Sequence, residues 1–124
     1  MKTVLIVDDE YDIVSILEFV FSEEGYTVRV AYNGIEALEV LKEQPYPDVI
    51  LSDVMMPKMD GYSLLKAVRM NPEYKNIPFI LVSAGQLDPE QLQKMPYDFF
   101  IRKPFDLDTL LGIVEKAISD KKKS

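Results

Sequence analysis

The sequence predicts an α/β fold, a parallel sheet covered by helices on both faces, and three observations carry that prediction. Strand-like and helix-like segments alternate five times along 124 residues, a length that fits one domain. Three of the strand candidates hold continuous apolar runs, Val4-Leu5-Ile6-Val7, Val49-Ile50-Leu51 and Phe99-Phe100-Ile101, as strands buried on both faces do. The links between segments are short, and right-handed crossovers then leave few topologies.

Each element has a local reason. Thr3–Val7 is the first strand. Ile13, Ile16, Leu17, Val20 and Phe21 recur at helical spacing and stop at Gly25, a good residue to close a helix. Tyr26–Ala31 sets Val28 and Val30 against Thr27 and Arg29, the alternation of a half-buried strand near an edge. Asn33-Gly34 opens a second helix bearing Ile35, Leu38 and Leu41, which Pro45 and Pro47 end. Asp48–Ser52 is the third strand. After a loop of Met, Pro, Asp and Gly, Tyr62–Met70 forms the third helix through Leu64, Leu65 and Val68, and Ile77–Val82 the fourth strand. Asp88-Pro89 suits a cap followed by proline at the first helical position, so a short, weakly apolar helix is expected from Pro89 to Lys94. Asp98–Ile101 is the fifth strand. Leu107, Leu110, Leu111, Val114, Ala117 and Ile118 mark the last helix.

Composition narrows the chemistry. The chain has no cysteine and no histidine, which removes disulfides, thiolate catalysis, cysteine-ligated zinc, Ser-His dyads and a phosphohistidine carrier. A net charge of −7 speaks against a nucleic-acid or anionic-membrane partner, both of which need a basic face. The one basic cluster, Lys121–Lys123, reads as a solvated tail at 121–124, after a domain of residues 1–120. The N-terminus enters a strand at once, no signal-peptide pattern is present, and no apolar run is long enough to span a bilayer, so the expected location is the cytoplasm.

What remains is carboxylates, lysine, hydroxyls and backbone amides, and their placement is informative. Val4–Val7 runs into Asp8-Asp9, Val49–Ser52 into Asp53, and Phe99–Ile101, through Arg102, into Lys103-Pro104. Ligands of an open parallel sheet bind outside the carboxyl ends of its strands. Two carboxylates roughly 5 Å apart repel by about 3 kcal/mol at an effective dielectric near 20, so three on one rim make sense around a cation. With oxygen ligands only, that cation is hard, and Mg²⁺ fits best. Taken singly, Asp8-Asp9 reads as a helix cap, Asp53 as a turn residue, Lys103 as a solvated lysine and Ser83 as a loop hydroxyl. Together on one rim they read as a divalent-cation and phosphoryl site. Glu10 reads as a solvated acid of the first helical turn, and Met55, Met56 and Met59 as packing residues.

The same residues resemble a family, the receiver domain of two-component response regulators. The matching pieces are Val7-Asp8-Asp9-Glu10, Ala31-Tyr32-Asn33-Gly34 with Glu36-Ala37-Leu38, Asp53-Val54-Met55-Met56-Pro57-Lys58-Met59-Asp60-Gly61, Ser83-Ala84 and Lys103-Pro104-Phe105. They span nearly the whole chain, in order and at the ends of strands. The resemblance implies a flavodoxin-like (βα)5 sandwich with strand order 2-1-3-4-5. It implies that Asp9 and Asp53 ligate Mg²⁺ directly, Asp8 through water and Met55 through its carbonyl. Asp53 is implied as phosphoryl acceptor, with Lys103 and Ser83 holding phosphoryl oxygens. It implies a cis Lys103-Pro104 bond, and that Ser83 and Phe100 form the switch that reports phosphorylation. The donor would be a sensor histidine kinase or histidine phosphotransferase, or a small acyl phosphate. The reader would be a downstream effector protein or domain, or a second copy of this chain. The domain would then act on its own acceptor and turn over no external substrate.

Two departures from the family pattern bear on output. The step from Ser83 to Lys103 is about two residues tighter than usual, and Pro96-Tyr97 stands where Gly-Ala is usual. Proline cannot extend a helix, so the fourth helix is expected to be short or displaced. Two other readings use overlapping chemistry. A phosphohydrolase of the haloacid-dehalogenase type also uses aspartate and Mg²⁺, but its nucleophile follows the first strand in an Asp-x-Asp motif, where this chain has Asp8-Asp9 followed by Glu10 and Tyr11. A pseudo-receiver would serve as an interaction module without taking phosphate, against which stand the intact Asp8, Asp9, Asp53, Ser83 and Lys103.

Overall fold

The computed structural model describes residues 2–85 and 87–123. Strands and helices alternate as β1 (Thr3–Val7), α1 (Tyr11–Glu23), β2 (Thr27–Ala31), α2 (Gly34–Leu41), β3 (Val49–Asp53), α3 (Gly61–Met70), β4 (Phe79–Ser83), α4 (Pro89–Lys94), β5 (Phe99–Arg102) and α5 (Leu107–Lys123). All five strands pair in parallel, in the order β2-β1-β3-β4-β5. This is the flavodoxin-like (βα)5 arrangement.

The pleat divides the core in two. Val4, Ile6, Leu51, Ile80, Val82 and Ile101 face one way and pack with Val14, Leu17 and Phe21 of α1 and Leu110, Val114 and Ile118 of α5. Leu5, Val7, Ile50, Phe79 and Leu81 face the other way and pack with Ala37 and Leu41 of α2 and Leu64, Leu65 and Val68 of α3. Strands β1, β3 and β4 are buried at every position, which is why they read as unbroken apolar runs rather than alternation.

The helices differ from the sequence pattern in detail. Val14 takes the buried place on α1, while Ile16 is 55% exposed. Ile35 of α2 is also largely exposed, and Ala37 is buried instead. α1 closes at Gly25, whose φ of 92° lets the Tyr26 N–H return to the Phe21 carbonyl. Asn33 caps α2 by accepting from the Glu36 N–H, and Asp60 caps α3 by accepting from the Ser63 N–H. α4 has six residues, none buried, with Asp88 as its cap and Met95 already extended before Pro96. α5 continues through Lys123, so helical structure does not stop at residue 120.

Two arginines do structural work that their strand and helix patterns did not announce. Arg29, placed outside by alternation, reaches the carbonyls of Val40, Glu43 and Pro45 at the end of α2. Arg69 donates to the carbonyls of Lys75, Ile77 and Pro96 and to Asp98 Oδ2. Lys103–Pro104 is cis, as the resemblance implied, and so is Gln44–Pro45. Among the described residues no helix is long and apolar enough to cross a membrane.

Candidate functional site

Register alone assembles the rim. Val7 pairs with Ser52, so the next residues, Asp8 and Asp53, leave adjacent strands side by side. Asp53 pairs with Val82, which brings Ser83 one step beyond on β4. Ser83 pairs with Arg102, and Lys103 follows it, its N–H donating to the Ser83 carbonyl at 2.9 Å. The ladder thus runs one residue past three apolar strands and sets chemistry-bearing side chains on one edge.

The Lys103 ammonium is the hub. Its Nζ lies 3.1 Å from Asp8 Oδ2, 3.6 Å from Asp53 Oδ2 and 3.7 Å from Glu10 Oε1. A narrow crevice lined by Ile13, Leu17, Val82 and Phe105 flanks it. Asp8 uses its other oxygen to accept the Glu10 N–H, so it orients the entry to α1 while holding the lysine. The helix-capping role read for Asp8 alone is not met, since Glu10 is the N-cap of α1 and no side chain caps that end; Asp8 stands against Lys103 instead.

Asp53 is almost wholly buried, and burial is the main reason its carboxyl is pushed up to about 6. The neighbouring Asp8 adds to that rise, Lys103 and the Val54 N–H oppose it, and Asp9 contributes a smaller push upward. Burial alone would lower the Lys103 ammonium, but the charges of Asp53, Asp8 and Glu10 and the bond to Asp8 outweigh it and raise it. An acid held partly reluctant to ionise beside a firmly charged lysine is a site short of positive charge.

Among the described residues, one group of acids could hold a metal ion: oxygens of Asp8, Glu10 and Asp53 lie within 4.8 Å of one another. The donor set is all oxygen, which fits a hard divalent cation. Asp9 is exposed and lies outside that group, although close enough to act on Asp53 electrostatically. Glu10, read from sequence as a solvated acid, is part of it. As the N-cap residue of α1, two residues after Asp8, it sits on the same rim. Ser83 is fully buried, and its Oγ accepts from the Gly85 N–H at 3.3 Å. Phe100 is half-buried and packs among residues of the α2–α3 face, with the Tyr97 ring 6.3 Å away. The Met55 side chain is 66% exposed.

The loop that follows Asp53 is held tightly. Gly61 begins α3 so close to β3 that an added Cβ would lie 2.3 Å from the Asp53 carbonyl oxygen. The Gly61 N–H donates to the Val54 carbonyl at 2.8 Å. Lys58, within the loop, adopts φ of 67°, a left-handed conformation uncommon outside glycine and asparagine. A cleft of about 610 Å³ lies elsewhere, at the opposite end of the sheet between Pro78, Asp98, Phe99 and Asp120. It is open, and none of the converging acids lines it, so volume is a poor guide to chemistry here.

The family model of the response regulator receiver domain matches residues 4–115. The chain belongs to the response regulator receiver domain family. It is 39% identical over 119 residues to sporulation initiation phosphotransferase F of Bacillus subtilis, covering 94% of each chain. It is equally identical to the DNA-binding transcriptional regulator NtrC of Escherichia coli, but spans only 24% of that longer protein. Its fold matches the crystal structure of the signal receiver domain of a signal transduction histidine kinase from Syntrophus aciditrophicus, with a TM-score of 0.90, 33% identity and coverage of 100% of this chain and 95% of that one. As a receiver domain the chain is a phosphoacceptor signalling module, and it carries an acidic cluster able to coordinate a divalent metal. Its phosphoryl chemistry is on itself, which sets aside the phosphohydrolase reading.

Proposed function

We propose that Asp53 is the phosphoryl acceptor of this receiver domain. The observation that supports this most is the sharing of one ammonium, that of Lys103, between buried Asp53 and the acids beside it. The Asp53 carboxylate attacks phosphorus while the bond from phosphorus to the donor atom breaks and the leaving group takes the electron pair. Lys103 turns from the carboxylates to the new phosphoryl oxygens, and the Ser83 hydroxyl donates to another. Asp9, Asp53 and the Met55 carbonyl would hold Mg²⁺ directly, with Asp8 through water. The chemistry a bound Mg²⁺ supplies is neutralisation of phosphoryl oxygens that otherwise face a cluster of carboxylates.

The donor is a protein phosphohistidine, on a sensor histidine kinase or a histidine phosphotransferase, since this chain has no histidine of its own. The domain acts in the cytoplasm, and residues 1–120 form its working unit. Phosphorylation adds roughly two negative charges and three acceptor oxygens at Asp53. Ser83 moves toward them, Phe100 follows into the space, and an effector or a second copy of the chain reads the changed surface at β5 and the first turns of α5.

Acetyl phosphate with Mg²⁺ tests the acceptor. One phosphoryl group is expected by intact mass, mapped to Asp53, and chelation of the metal prevents it. Undiminished labelling of Asp53→Asn would overturn the assignment.

A further inference from the structure

Of the three acids that converge here, Asp8, Glu10 and Asp53, Glu10 is the one whose side chain accepts no backbone hydrogen bond and caps no helix. The Asp8 and Asp53 side chains are 6% and 7% exposed, whereas that of Glu10 is 60% exposed. It nevertheless stays within the acid group, 3.7 Å from Lys103 Nζ. A negative charge is thus stationed at the outer mouth of the site, with buried Asp53 beneath it.

In phosphoryl transfer the attacking oxygen, phosphorus and leaving atom lie roughly in line. With Asp53 as the buried nucleophile, the leaving group departs toward solvent, past the side where Glu10 stands. We propose that Glu10 selects among phosphodonors, favouring those whose leaving atom is a protonated or neutral nitrogen over those that expel an anionic oxygen. This inference rests on Asp53 being the acceptor.

The two donor classes differ in charge at one place. With acetyl phosphate, the Asp53 oxygen bonds to phosphorus, the bond from phosphorus to the acetate oxygen breaks, and acetate leaves with the electron pair as an anion. With phosphoramidate, whose nitrogen carries three protons, the phosphorus–nitrogen bond breaks and neutral ammonia leaves. The Glu10 charge opposes the negative charge that develops on acetate and draws in the positive nitrogen. A phosphohistidine donor also breaks a phosphorus–nitrogen bond. Glu10 therefore tunes the domain toward a protein phosphohistidine and insulates it from small acyl phosphates.

The test compares the second-order rates of phosphorylation by acetyl phosphate and by phosphoramidate, followed by intact mass in Mg²⁺, for the unaltered protein and Glu10→Gln. The ratio of the two rates is expected to move toward acetyl phosphate by about three- to tenfold, and by less at raised salt, as screening of an exposed charge requires. Mg²⁺ affinity measured by calorimetry on both proteins supplies the second readout. A changed Mg²⁺ affinity with an unchanged donor ratio would overturn the proposal, because Glu10 would then act through the metal alone. An unchanged ratio with unchanged affinity overturns it equally. If neither donor labels the unaltered protein, the acceptor reading itself fails, and the inference with it.

Discussion

Asp53 concentrates the electrostatic cost of the fold in one side chain. Burial and the Asp8 charge hold its carboxyl at about 6, well above its ordinary value of 3.8. A carboxyl harder to ionise when folded than when unfolded favours the fold fully only while protonated in both states. That contribution is lost as pH rises through 3.8 and then through about 6, after which the penalty is constant. Asp53→Asn should therefore stabilise the metal-free protein by on the order of 2 kcal/mol at about pH 8, with the gain fading toward about pH 4. Denaturant melts in EDTA at the two pH values measure this, and a gain independent of pH would show that Asp53 is not the strained acid. Asp53, Lys103 and Ser83 were legible as residues because each ends or follows an apolar strand. Glu10 was not, because a glutamate opening a helix is ordinary, and only the fold shows it across from Lys103.

At the scale of elements, register did most of the work of building the site. The apolar runs of β1, β3 and β4 made their ends readable, while the exact bounds moved by a residue or two: β3 ends on Asp53 and β4 starts at Phe79. The short α4 was readable from Pro96, because proline removes the donor a further turn needs. What replaces that turn was not readable, since it depends on a residue 27 positions away. Arg69 donates to Pro96 and Asp98, and Asp98 also accepts the Phe79 N–H that opens β4. One guanidinium thus ties the end of α3, the link after α4 and the start of two strands. Arg69→Ala should lower stability by about 2–3 kcal/mol, since several carbonyls lose a donor at once. Arg69→Lys should recover only part of the loss, because an ammonium cannot reproduce the planar fork. Equilibrium urea unfolding checks both, and full rescue by lysine would reduce the role of Arg69 to its charge.

For the whole molecule, the two faces of the sheet have different tasks. The α1–α5 face carries the hydrophobic residues against which Lys103 and Phe105 sit, and the α2–α3 face carries Phe100 and the exposed α4. A helix with no buried residue adds little to a packed two-state element, so a change at Asp53 should be felt through β5 and the start of α5 instead. The central claim is that charge placed on Asp53 moves this region. Amide hydrogen exchange with Mg²⁺, with and without beryllofluoride as a phosphoryl mimic, tests it most directly. Altered protection is predicted around Ser83, Phe100, Asp106 and Leu107, with little change in Thr27–Ala31. Changes confined to Thr27–Ala31, with none around Phe100, would contradict the route from the phosphoryl site to the surface.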